Sequence, residues 1–170
     1  MQFPFLPEVE NVLRTAGWFP GRKIDAAGIY CSRLRCPLFP AAQQAIEEFG
    51  NLYFSDSPYV AWRVRSPFCI NPAEAWYSYW PEEELEEYQD SLHCRVYPLG
   101  FSGGMGKDGK IWQHEASSVF LMDENKRVFS SGYEDYLLGD SIEAALSTLI
   151  LQSGSVLWDL EKDTPRENQP

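Results

Sequence analysis

Basic residues are absent from a long stretch of this chain of 170 residues: between positions 66 and 94 there is no Lys or Arg, against seven acids, Glu74, Glu82, Glu83, Glu84, Glu86, Glu87 and Asp90. A surface of that kind repels nucleic acid and anionic lipid and attracts basic partners. Histidine is nearly absent too, with only His93 and His114, and neither has a sequence neighbour that would make it a base or a metal ligand. The four cysteines, Cys31, Cys36, Cys69 and Cys94, are too few and too scattered for a disulfide scaffold. Cys31 and Cys36, with His93 and Cys94, sketch a zinc set, but structural zinc sites pair their ligands compactly and Cys69 stands alone. We therefore expect reduced thiols, no metal and no cofactor. No apolar run is long enough for a membrane span, and the Met1–Leu6 stretch has no basic region of a signal peptide, so the expected location is the cytoplasm.

What is present is a globular composition: 44% hydrophobic residues and 15% aromatics, which disordered chains lack. The length suits one domain that buries roughly two-thirds of its unfolded surface, so no staple is needed. The formal charge of −11 is unevenly spread: residues 1–65 are nearly balanced, 95–110 are weakly basic, and 111–170 are again strongly acidic. From about Trp158 onward no apolar period is visible, and we expect residues 1–157 to form the domain and 158–170 a disordered charged tail.

Apolar spacing marks the elements. Val9, Val12, Leu13 and Ala16 share one helix face, Pro7 suits its first turn and Gly17 its stop. Ala42, Ala45, Ile46 and Phe49 repeat the pattern from Pro40 to Gly50. Asn51–Phe54 begins a strand, and Tyr59–Arg65 alternates like a half-buried one. Leu85, Tyr88 and Leu92 place a third helix with the glutamates on its opposite face. Cys94–Pro98 reads as a short strand, and the glycine-rich run Phe101–Lys110 as a loop. A hairpin follows, Ser118–Met122 and Arg127–Ser130 around Asp123–Lys126. Asp140 is placed to cap a last helix carrying Ile142, Ala145, Leu146, Leu149 and Ile150. Without repeats or a regular strand–helix alternation, these elements define an α+β domain with a mainly antiparallel sheet.

Two formal motifs fail on context. Gly100–Gly104 fits G-x-S-x-G around Ser102, but no helix start follows it, and His114 lies too near for the usual Ser, Asp, His order. Gly104–Lys110 approaches a P-loop, but Ile111 stands where a Mg²⁺-binding Ser or Thr belongs, and Trp112 onward reads as a strand. The paired glutamates lack the aspartates and glycine of a calcium loop. No catalytic residue is assigned. Trp76, Tyr77, Tyr79 and Trp80 crowd next to the acidic run, and aromatic anchors carry much of the energy of protein interfaces, although part of such a cluster belongs to any core. The candidate partner-binding residues are Trp76, Tyr79, Trp80, Glu82, Glu83, Glu84, Glu86, Glu87 and Asp90.

The block Gly17, Trp18, Phe19, Pro20, Gly21, Arg22 after the first helix resembles the GWxPGR opening of the SUKH superfamily, specifically its third group, mostly immunity proteins of bacterial polymorphic toxin systems. Ala45–Leu52, with its Phe49, Gly50, Leu52 step, then Tyr97, Pro98, Leu99 and Gly100, then the hairpin from Val119 to Phe129, and Gly139–Leu146 are similar to further blocks of that group, in order over most of residues 6–151. Asn51 replaces a second glycine, and the turn Asp123–Lys126 lacks the customary one. These departures touch turns, and Asn accepts left-handed backbone. The resemblance implies an α+β sheet flanked by helices, no shared catalytic residues, and a function of binding a cognate toxin domain. The residues add the expectation that such a toxin is a basic one, a basic nuclease being one such case, met by a monomer that binds neither nucleic acid nor membrane. An intracellular interaction module of the same fold without a toxin partner is the alternative.

Overall fold

The computed structural model describes residues 5–30, 38–54, 67–79, 82–105 and 111–166; at 76–79, 82, 104–105 and 111–117 it describes the backbone alone. Thirteen elements follow one another: α1 (Pro7–Thr15), α2 (Pro40–Phe49), β1 (Leu52–Phe54), β2 (Phe68–Ile70), α3 (Pro72–Tyr79), α4 (Glu82–Leu92), β3 (Val96–Met105), β4 (Ile111–Asp123), β5 (Val128–Ser131), β6 (Tyr136–Gly139), α5 (Ile142–Leu151), β7 (Val156–Asp159) and β8 (Thr164–Pro165). The strands form one meander in chain order, every neighbour antiparallel. This is the single α+β domain the spacing predicts.

The period of two along β4 divides the core. Phe120 and Met122 join α1, α2 and α5 in one buried cluster, while Val119 and Leu121 join α3 and α4 in a second. Both sheet faces are therefore covered. On β3 the division is kept by a bulge: Pro98 pairs with Leu121 but Gly100 pairs with Phe120, so Leu99 is an extra residue and the phase shifts by one. Tyr97 and Leu99 thus enter the first cluster and Phe101 the second.

The motif residues gather where α1 meets α2. The amide of Gly17 donates to Arg14 O and that of Trp18 to Leu13 O, the paired bonds of a Schellman stop. Phe19 to Arg22 closes a turn with Pro20 second and Gly21 third at φ 77°, a conformation that favours glycine. That turn delivers Arg22 to the end of α2, where its guanidinium donates to the carbonyls of Glu48 and, at 2.8 Å, Gly50. A cation on those orphan carbonyls satisfies them and opposes the negative end of the helix dipole. Trp18 lies parallel to Phe49 at 6.2 Å, edge-on to Phe5 at 5.4 Å, and donates from Nε1 to Glu48. Beyond Gly50, Asn51 takes the left-handed turn at φ 58°, and Leu52 is buried.

Several boundaries differ from the sequence reading. Strand β3 does not stop at Pro98, and Phe101–Met105 is strand rather than loop, because β2 and β4 supply backbone partners on either side of the glycines. Helix α3 occupies a segment that carried no clear period. Ser141, not Asp140, caps α5, its Oγ accepting from the Ala144 amide. Residues 158–166 are not a disordered tail but carry the end of β7 and all of β8, with Trp158 buried. The expected strand at Tyr59–Arg65, together with Cys31, Cys36 and Trp80, lies outside the described residues, as do residues 167–170. In the hairpin turn that lacks glycine, Lys126 adopts φ 71° and the Asp123 carboxylate accepts the Arg127 amide at 2.8 Å.

Gly100 lies so close to β2 that an added Cβ would stand 2.0 Å from the Cys69 carbonyl oxygen and 2.9 Å from the Ile70 Cα. Both obstacles are backbone and cannot swing aside. Gly100→Ala is expected to cost about 1–3 kcal/mol or more, as overpacking does, read as a lowered midpoint in urea unfolding.

Candidate functional site

Helix α4 shows why its sequence is half acidic. Leu85, Tyr88 and Leu92 are buried against the sheet, and Glu83, Glu84, Glu86, Glu87 and Asp90 are exposed on the other side. Tyr88 is held at its tip by Asp135, which accepts its hydroxyl proton. Burial foremost, and the bond to Asp135 next, push the Tyr88 phenol well above its ordinary pKa, against a smaller opposing effect of Ser131.

Beside this helix opens a cleft of about 600 Å³. One wall is α4, with Glu84, Glu87, Tyr88 and Ser91; the floor is the turn after β5, with Ser131, Gly132 and Asp135; the far wall is the β7–β8 turn, with Asp159, Leu160, Glu161 and Arg166. Five carboxylates thus face one guanidinium across the same recess. A hydrogen bond from Lys162, which also pairs with it at 3.1 Å, holds the Asp159 carboxyl below its usual range. Next to Gly132, Tyr133 at the turn tip is 100% exposed.

The far wall is fastened from below by Arg127. Its Nε donates to the fully buried Asp123 at 2.6 Å and its Nη1 to Asp163 at 2.8 Å, and the guanidinium lies over the rings of Phe129 and Trp158. Trp158 Nε1 also donates to Asp163, at 3.1 Å. Burial lowers the Arg127 pKa, but its bonds to Asp163 and Asp123 more than compensate and keep it above its ordinary value. One cation therefore ties the β4–β5 turn to the β7–β8 turn.

Of the residues proposed from sequence, Glu84 and Glu87 line the cleft; Glu83, Glu86 and Asp90 are exposed on α4 outside its lining. Trp76 and Tyr79 belong to α3 and Glu82 begins α4, but their side chains, like all of Trp80, lie outside the described residues. Asp135, Asp159 and Glu161 were missed. The alternation of Val156 and Trp158 around Leu157 was the one available signal, and it is too short to stand against the charged run that follows.

Ser102 sits in mid-strand, buried, its Oγ 2.7 Å from the Ser118 Oγ across the β3–β4 pair, so it does not occupy the strand-to-helix turn that a nucleophile elbow requires. After residues 106–110 the chain resumes as β4, whereas a phosphate loop opens a helix. Among the described residues no helix is long and apolar enough to cross a membrane.

A sequential antiparallel meander with helices on both faces, and a recess lined by five carboxylates and one guanidinium, defines a small α+β protein. The chain belongs to the SUKH-3 family: the family model described as SUKH-3 immunity protein matches residues 5–152. None of the curated proteins and none of the solved structures compared with the chain matches it. Membership makes this an immunity protein, for which a toxin is the implied protein partner.

Two outcomes follow from the geometry. Arg127→Ala strands the Asp123 carboxylate without its cation and is expected to cost about 3–5 kcal/mol, the usual result of breaking a buried pair; urea unfolding measures the loss, and limited proteolysis should release the segment after residue 155. Because the Tyr88 pKa is raised in the fold, its stabilisation is complete below the unfolded value of about 10 and is lost as pH climbs toward the folded value. Stability should therefore fall above pH ~10, this group adding a slope of about 1.4 kcal/mol per pH unit. Tyr88→Phe should remove that one-proton share in denaturant titrations from pH 9 to 11.5.

Proposed function

We propose that this immunity protein neutralises a basic toxin domain by docking its acidic face, α4 and the adjoining cleft, onto the toxin's positive surface. The observation that supports this reading is the convergence of Glu84 and Glu87 with Asp135, Asp159 and Glu161 around one recess. Glu83, Glu86 and Asp90 extend the same charge outward along the helix. A field of that sign accelerates encounter with a basic partner and opposes nucleic acid. A nuclease fits well, because the carboxylates would occupy the groove that receives phosphates. The aromatic residues of α3, Trp76 and Tyr79, with Trp80 after it, are assigned to the same face as anchors that slow dissociation once contact is made. Inhibition is by occupation, by a monomer in the cytosol of the toxin-producing cell, with no chemistry and no cofactor.

The test uses the toxin domain that the tagged chain captures from its native host, as purified protein and as a growth inhibitor in cells. The wild-type chain should restore growth, and its association should slow as salt is raised. Changing Glu83, Glu84, Glu86 and Glu87 together to Gln is expected to slow association about tenfold or more at low salt and to flatten its salt dependence. An association rate unchanged at low salt would rule out this face.

A further inference from the structure

The span that matches the family ends at residue 152, and one wall of the cleft is built after it. The hairpin β7–β8 is not a loose appendage: Tyr136 and Leu137 of β6 pair with Leu157 and Val156, Trp158 packs on Phe129 at 6.0 Å, and the Arg166 amide donates to Leu157 O at 2.8 Å. Its anchoring groups, Trp158 and Asp163, point to the sheet and Arg127. Its turn presents Asp159 and Glu161 to the cleft, facing Glu84 and Glu87 of α4. The recess therefore has one wall inside the matched span and one outside it.

We propose that this hairpin is the specificity element of the protein, and that it selects toxin domains presenting a protruding Lys- or Arg-bearing loop that enters the cleft between α4 and the hairpin. This rests on the reading of the acidic face as the toxin-binding face. Dimensions and charge define the occupant. A recess of about 600 Å³ admits a few side chains, not a flat protein surface, and its excess of carboxylates favours cations. Tyr133, fully exposed, follows Gly132 of the cleft's lining in the chain and is an aromatic side chain of the kind that concentrates binding energy at interfaces. The α4 wall supplies attraction to any basic surface. The hairpin, held rigid by Arg127, adds the shape and the opposing charges that only a projecting cationic segment satisfies, and rejection of partners without one is how such sites discriminate.

The experiment measures affinity for that captured toxin domain, with the full-length wild-type chain, Glu161→Lys, Tyr133→Ala and the α4 Glu83/84/86/87→Gln variant. Glu161 and Tyr133 are exposed, so both single variants should unfold at the wild-type urea midpoint. The expected result is a Kd raised about tenfold or more by Glu161→Lys and severalfold by Tyr133→Ala, with slowed amide exchange at residues 156–166 in the wild-type complex. Wild-type affinity in Glu161→Lys, alongside weakened binding by the α4 variant, would overturn the hairpin's role while leaving the acidic-face reading intact, whatever Tyr133→Ala does. Full affinity in all three variants, or no binding by the wild type, would overturn both.

Discussion

Arg127 ties the β4–β5 turn to the β7–β8 turn. Its guanidinium reaches the buried Asp123 within its own turn and Asp163 in the β7–β8 turn, and it lies over Phe129 and Trp158. A carboxylate with no solvent exposure is tolerable only if a cation and hydrogen bonds replace water. Asp123 obtains both from Arg127, through the side chain and the backbone amide. The second arm of the same guanidinium then fastens the turn of a hairpin whose first strand is already paired with β6 and whose Trp158 packs on Phe129. Without it, the turn of the far wall would lose its tie to the β4–β5 turn.

A comparable economy joins the helices on the other sheet face. Arg22 takes two carbonyls at the end of α2, and Trp18 fills the space between Phe5 and Phe49. The Gly17, Trp18, Pro20, Gly21, Arg22 block is thus a device for stopping one helix and capping the next: a left-handed stop, a buried ring, a tight turn and a cation. None of these residues lines the acidic cleft. The motif thus serves the packing of the helices and lies apart from the cleft.

Much of the scaffold was legible because its signals are local. The faces of α1, α2, α4 and α5 follow from apolar spacing over about three turns, and the β4–β5 hairpin from two apolar runs around a polar turn. The glycine-rich half of β3 was hidden, since its order derives from backbone pairing with β2 and β4 rather than from side chains of its own. The cap of α5 was placed one residue early, at Asp140 instead of Ser141, because both types cap well and only backbone geometry separates them. The carboxylates of α4 were recognisable as an exposed stripe; their counterparts across the cleft were not.

By itself, then, the sequence determined the α+β class, the amphipathic helices, the acidic character of residues 66–94 and the blocks shared with SUKH proteins, since each depends on residues within a few turns of one another. Tertiary structure alone decided that residues 156–166 are ordered, that Leu99 bulges out of register, and that Glu84 and Glu87 meet Asp135, Asp159 and Glu161. Those outcomes hinge on partners tens of residues apart, above all on Arg127 reaching Asp163, and a charged stretch rich in polar residues carries no local sign that a half-buried cation awaits it elsewhere in the fold.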